Sequence, residues 1–162
     1  MQIFTDQTKG AKLSECGTYR YQLWRIWNDE LPKVLFIMLN PSTADENNDD
    51  PTIRRCISFA KSWGYGSLYV GNLFAYRSTS PKGLLEADDP FGEWNNYHLN
   101  ELSEKCDLIV CAWGNAPILK KLNYRPKLEN ISKPLHYLDL ANSGTPKHPL
   151  YLKGDLKPKL AQ

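Results

Sequence analysis

The sequence has no apolar run long enough to cross a bilayer; stretches such as residues 34–39 fall far short of the about 20 residues that a spanning helix needs. Its first ten residues carry no apolar core of a secretory signal, so the expectation is a soluble, cytoplasmic protein with no membrane partner. Neither GxxxxGK[ST] nor GxGxxG occurs, which disfavours a phosphate-cradling kinase or ATPase. The four cysteines, Cys16, Cys56, Cys106 and Cys111, form no CxxC pair and no ligand ladder. They are expected to be reduced thiols, the last three packed as small hydrophobes. The acidic segment 45–50 lacks EF-hand spacing, so neither a metal nor a cofactor is expected. Charge of one sign is lacking too. Twenty basic residues against 18 acidic ones leave a net charge of +2, which neither announces nucleic-acid binding nor forbids it, because a local patch decides.

What is present is an ordinary globular composition, with 41% hydrophobic, 12% aromatic and 23% charged residues in 162. One domain over residues 1–162 is expected, since two would leave about 80 residues each and starve both cores. Tyr19, Tyr21 and Leu23 alternate with Arg20 and Gln22, predicting a half-buried strand over 19–27. The apolar runs 34–39, 68–74 and 108–113 read as central strands covered on both faces, with a fourth strand over 134–140. Asp50 as a cap, Pro51 in the first turn, and Ile53, Cys56, Ile57 and Ala60 at helical spacing predict a helix that Gly64 and Gly66 close. Further helices are expected over 94–105 and 117–122. The alternation predicts an α/β fold: an α/β/α sandwich around a mostly parallel sheet of about four strands, preceded by an N-terminal antiparallel strand pair.

In such sheets ligands bind beyond the carboxyl ends of the strands. There the chain places Asn40-Pro41-Ser42-Thr43, then Asn72 with Arg77-Ser78-Thr79, then Trp113-Gly114-Asn115, and finally residues 143–149 with His148. Each has a plain structural reading. Asn-Pro initiates turns, Ser42 and Thr43 stabilise them, and a lone loop histidine is usually exposed. Asn72 is the odd one, because an amide inside an apolar strand must find partners or destabilise the fold. The lysine-rich end, with Lys147, Lys153, Lys157 and Lys159 against Asp155, reads by composition as a solvated tail. Several polar groups at one sheet edge nevertheless favour an active site.

Four segments resemble the bacterial, archaeal and phage family of unknown function called DUF1643: Phe36 to Asp45, Asp50 to Cys56, Asn72 to Pro81 and Pro146 to Tyr151. With the aromatic strand at 19–27, the resemblance covers nearly the whole chain. A more distant one is to the uracil-DNA glycosylase superfamily, in particular its mismatch-specific uracil/thymine branch. There the first central strand ends in Asn-Pro, as at Asn40-Pro41. A later strand carries a base-reading Asn, an apolar residue and a downstream Arg-x-Thr, as at Asn72-Leu73 and Arg77-Ser78-Thr79. A C-terminal His-Pro loop contacts the base and wedges the duplex, as at His148-Pro149-Leu150, here shorter and without the Ser-Pro.

That resemblance implies hydrolysis of the N-glycosidic bond of a modified, damaged or mismatched base. Asn40 would position the water, and His148 would donate to the leaving base. Asn72 would read the base edge, with Ser42 beside it and Trp113 or Tyr76 as stacking faces. Arg54, Arg55, Arg77, Lys147 and Leu150 would meet the nucleic acid. Neutralising three or four phosphates would give a log–log salt slope of about −3 to −4 on duplex DNA. Asp45 or Asp50 would supply the carboxylate that an Asn cannot. The alternatives are a non-catalytic nucleic-acid-binding module and a small-molecule nucleoside or nucleotide hydrolase using the same pocket.

Overall fold

The computed structural model describes residues 2–5, 8–114 and 117–161. The chain alternates strands and helices from its middle onward. β4 (Lys33–Met38) leads to α1 (Pro51–Ser62) and β5 (Ser67–Asn72), then α2 (Gly83–Glu86), α3 (Asn95–Lys105) and β6 (Leu108–Cys111). α4 (Pro117–Lys121), β7 (Leu135–Tyr137) and β8 (Lys159–Leu160) follow. Ahead of them, β1 (Gln2–Thr5), β2 (Lys9–Leu13) and β3 (Arg20–Ile26) form an antiparallel meander.

All join in one 8-stranded sheet of order β1-β2-β3-β5-β4-β6-β7-β8. This corrects the expectation of about four strands. The core β5-β4-β6-β7 is parallel, but β3 pairs antiparallel with β5 and β8 antiparallel with β7, so antiparallel pairings outnumber parallel ones. The physical reason is that short flanking strands can cover the edges of a parallel core without crossover helices.

Side chains of β4 alternate between two cores. Val34, Phe36 and Met38 face α1 with Ile53, Cys56 and Phe59, while Leu35, Ile37 and Leu39 face α3 with Leu99 and Leu102. The sheet is therefore covered on both faces, as its continuous apolar runs require. Asp50 caps α1 as expected, its Oδ1 accepting from the Ile53 N–H at 2.8 Å, and Gly64 beyond the helix has φ +82°. Gly71 in β5 admits α3 closely, because a Cβ there would lie 2.7 Å from Leu99 Cδ2. Cys56, Cys106 and Cys111 are buried, with burial pushing the thiols of Cys106 and Cys111 up to about 12. No helix among the described residues is long and apolar enough to cross a membrane.

Candidate active site

From β4 the chain moves to β5 on one side, then crosses to β6 on the other side of β4. A crevice opens at the carboxyl ends of strands where connections diverge in this way. A cavity of about 450 Å³ lies there, within the range of small-molecule sites. Its lining includes Asn40, Ser42, Asn72, Trp113, Gly114, His148 and Leu150, with Arg20, Asp50, Thr52, Ser78 and Thr79. Chain segments far apart in sequence thus meet in one place.

Asn40 follows β4, and its Nδ2 donates to the carbonyls of Pro41 and Ser78, each at 3.0 Å. Two carbonyl partners fix the amide's orientation, since only the NH₂ end can donate. What Asn40 has left for a ligand is the acceptor Oδ1.

Asn72 ends β5 and is 1% exposed, yet neither its Nδ2 nor its Oδ1 has a hydrogen-bond partner. A buried amide without partners costs about 1–3 kcal/mol per group. Its backbone is held from outside the cavity, where Asn95 Nδ2 donates to the Asn72 carbonyl at 2.8 Å. A donor and an acceptor side by side on one planar group form the complement of a base edge or another amide.

His148 is half-buried, and its Nδ1 accepts the Leu150 N–H at 3.2 Å. The neutral ring therefore carries its proton on Nε2 and is a donor there. Burial pulls its pKa below the ordinary imidazole value, against the opposing charge of Asp50. Gly114 brings this loop close to β6: its φ is +84°, its N–H donates to the Pro146 carbonyl at 3.0 Å, and a Cβ there would meet His148 Cβ at 3.4 Å. Trp113, half-buried, presents an aromatic wall.

The two candidate carboxylates separate. Asp45 Oδ1 accepts from the N–H groups of Asn47 and Asn48 and so closes its own loop. Asp50 caps α1 and also faces the cavity. Arg20, 2% exposed on β3, is the residue the sequence did not single out. Its alternation with Tyr19 and Tyr21 resembles that of any solvent-facing strand residue, and only the loop folded over it makes it buried.

Other expected site residues lie elsewhere. Tyr76 is not in the cavity lining; it packs edge-on against Tyr19, with ring centroids 6.0 Å apart. Arg77 Nη1 donates to the Gly17 carbonyl at 3.3 Å, and Lys147 is ion-paired with Asp139 at 3.0 Å. Arg55 lies over the Phe59 ring and donates to the Pro149 carbonyl, while Arg54 is exposed on α1 and donates to the Asp49 carbonyl. Asn115 lies outside the described residues. Among the described residues no group of three or more His, Cys, Asp or Glu is placed to hold a metal ion.

No curated protein and no solved structure matches the chain. One family does, over residues 20–150, a span that contains every cavity residue named above. The chain belongs to DUF1643, a family of proteins described as of unknown function.

Proposed function

We propose that the protein hydrolyses the N-glycosidic bond of a modified, damaged or mismatched base in DNA. The observation that carries this reading is Asn72: a carboxamide 1% exposed, in the lining of the cavity, with donor and acceptor both unpartnered. A flipped base supplies the matching acceptor and donor and removes the cost of burying that amide.

The other groups support the same chemistry. Breaking the bond between C1′ and the base nitrogen sends its electron pair to the base and leaves oxocarbenium character on the sugar. His148, neutral with its proton on Nε2, donates to the departing base where negative charge develops. Asn40 Oδ1 accepts a hydrogen bond from the attacking water, whose proton there stays on the new C1′ hydroxyl, and so orients the water oxygen toward C1′. Asp50, in the same cavity with only one carboxylate oxygen used by the helix cap, takes the other proton as the C1′–O bond forms. Trp113 supplies the stacking face.

The test is incubation with oligonucleotides carrying uracil, mismatched thymine, deaminated purines or hypermodified bases, followed by alkaline cleavage at abasic sites. Cleavage that His148→Ala or Asn40→Ala abolishes in a folded protein supports the reading, as does a change of base preference in Asn72→Ala. DNA retained without abasic product would instead support a binding module. Release of base from free nucleotides alone would support a small-molecule hydrolase.

A further inference from the structure

The cavity contains a buried cation that forms no ion pair among the described residues. Arg20 is 2% exposed; its Nη1 donates to the Ala44 carbonyl at 2.8 Å, and its Nε has no partner. Among the described residues no carboxylate lies within ion-pair distance of it. Arg25, on the same strand, shows how this fold satisfies an arginine for purely structural ends. Its Nε meets Asp49 at 2.7 Å, and its other nitrogens donate to the carbonyls of Trp24 and Asp45. Arg20 lacks such a set although the acidic segment 45–50 is adjacent. Burial lowers its pKa to about 10, with the charge of Asp50 opposing, so it remains a cation at neutral pH.

A buried charge left unpaired is strongly unfavourable, and a guanidinium offers a planar fork suited to phosphate. Ser42 and Thr79 line the cavity too and add hydroxyl groups to it. We propose that Arg20 binds the phosphate of the ligand, so that the cavity takes a nucleotide rather than a bare nucleoside or base. This rests on the reading of Asn72 as the base-reading amide and extends it to the phosphate of the same ligand. The phosphate has two sources, a DNA strand carrying the extruded base or a free mononucleotide, and the chemistry at Arg20 is common to both.

The test is titration of the full chain with the common deoxynucleosides and deoxyuridine, with their 5′-monophosphates, and with inorganic phosphate. The expected result is that monophosphates bind at least ten-fold tighter than the parent nucleosides, and that Arg20→Gln reduces this difference to under three-fold. Should Arg20→Gln fail to fold, the wild-type protein alone decides. Its Arg20 Nε–H resonance must then shift on addition of inorganic phosphate. Equal affinities for nucleoside and monophosphate with an unmoved Nε–H resonance overturn the proposal. In that case nucleoside binding that Asn72→Ala abolishes leaves the base-reading site standing. A phosphate-induced shift without any nucleoside binding upholds Arg20 and overturns the base reading instead. Displacement of a bound monophosphate by a short single-stranded oligonucleotide assigns the phosphate to a strand; lack of displacement assigns it to a free nucleotide.

Discussion

Asn95 holds Asn72 from behind: the Asn95 Nδ2 donates to the Asn72 main-chain carbonyl at 2.8 Å and also to that of Leu73 at 3.2 Å. One buried amide thus fixes the strand end from which the other presents an unsatisfied carboxamide to the cavity. Single buried atoms elsewhere also lack partners, Gln22 Oε1 and Ser67 Oγ among them, but at Asn72 both ends of one amide in the cavity lining do, which marks a site maintained at a cost to stability. Asn72→Leu, close in volume, is therefore expected to leave the protein as stable as the wild type or to stabilise it by about 1–3 kcal/mol. Ligand binding is expected to be lost. Urea unfolding of the two proteins checks the first part. A loss of more than about 2 kcal/mol would mean that the amide is structural.

His148 predicts a pH dependence. With Nδ1 accepting from Leu150, the neutral ring donates through Nε2, and protonation would put a second N–H against the Leu150 N–H. Burial favours the neutral form and sets the pKa below 6.5, Asp50 opposing. The donor proton on Nε2 is present in both forms, but only the neutral ring keeps the Leu150 bond that aims it. The single-turnover rate is thus expected to hold down to pH 6.5 and to fall below it as the ring protonates. His148→Ala is expected to cost about a hundredfold or more, the usual loss for one donor to developing negative charge. A rate that rises as the pH drops through this range would contradict the neutral-donor role.

Gly114 is expected to be intolerant of a side chain for two separate reasons. At φ +84° an alanine is strained by about 1–2 kcal/mol, and its Cβ would press on His148 Cβ at 3.4 Å. Gly114→Ala should therefore cost stability of that order and in addition lower the rate, by moving His148. Gly144, at φ +83° with nothing within 4 Å of a Cβ, serves as the control. Its alanine variant should show the strain without the loss of rate.

Much of the architecture was legible because its signals are local. The runs 34–39, 68–74 and 108–113 had to be central strands, being apolar on both faces, and Asp50-Pro51 announces the start of α1. The outer strands were not legible as part of one sheet. β2 is a five-residue segment with Gly10 and two lysines, and β8 has two residues; both exist because a neighbour offers an open edge. At the site, the order of strand ends brought Asn40, Asn72, Trp113 and His148 together, since all follow from sheet topology. Arg20 was missed because its burial depends on a loop some 24 residues away in sequence, whose Ala44 carbonyl covers it. Tyr76 was misplaced for the converse reason, its ring being taken up by Tyr19 through an isolated bridge.

Acid stability should be set partly by His98, away from the cavity. It is 2% exposed and stacked on Tyr21 at 4.8 Å, its Nδ1 lies 2.8 Å from Gln22 Nε2, and burial with nearby Lys12 lowers its pKa to about 4, Glu101 opposing. The unfolded chain takes up this proton near pH 6.5, whereas the folded protein resists it until about 4. Stability is thus lost as the pH falls between those values, by up to about 3 kcal/mol. Urea midpoints at pH 7, 5.5 and 4.5 should fall less steeply in His98→Phe than in the wild type. Equal slopes would show that His98 does not govern this window.

The most direct measurement of the central claim is detection of free base by mass spectrometry, after incubating the protein with modified, mismatched or deaminated duplexes. One substrate class is expected to yield free base in amounts equal to the abasic sites formed. This release is expected to be lost in His148→Ala and Asn40→Ala proteins whose fold is intact. Intact DNA bound tightly by the wild type, with no free base from any class, would contradict the claim.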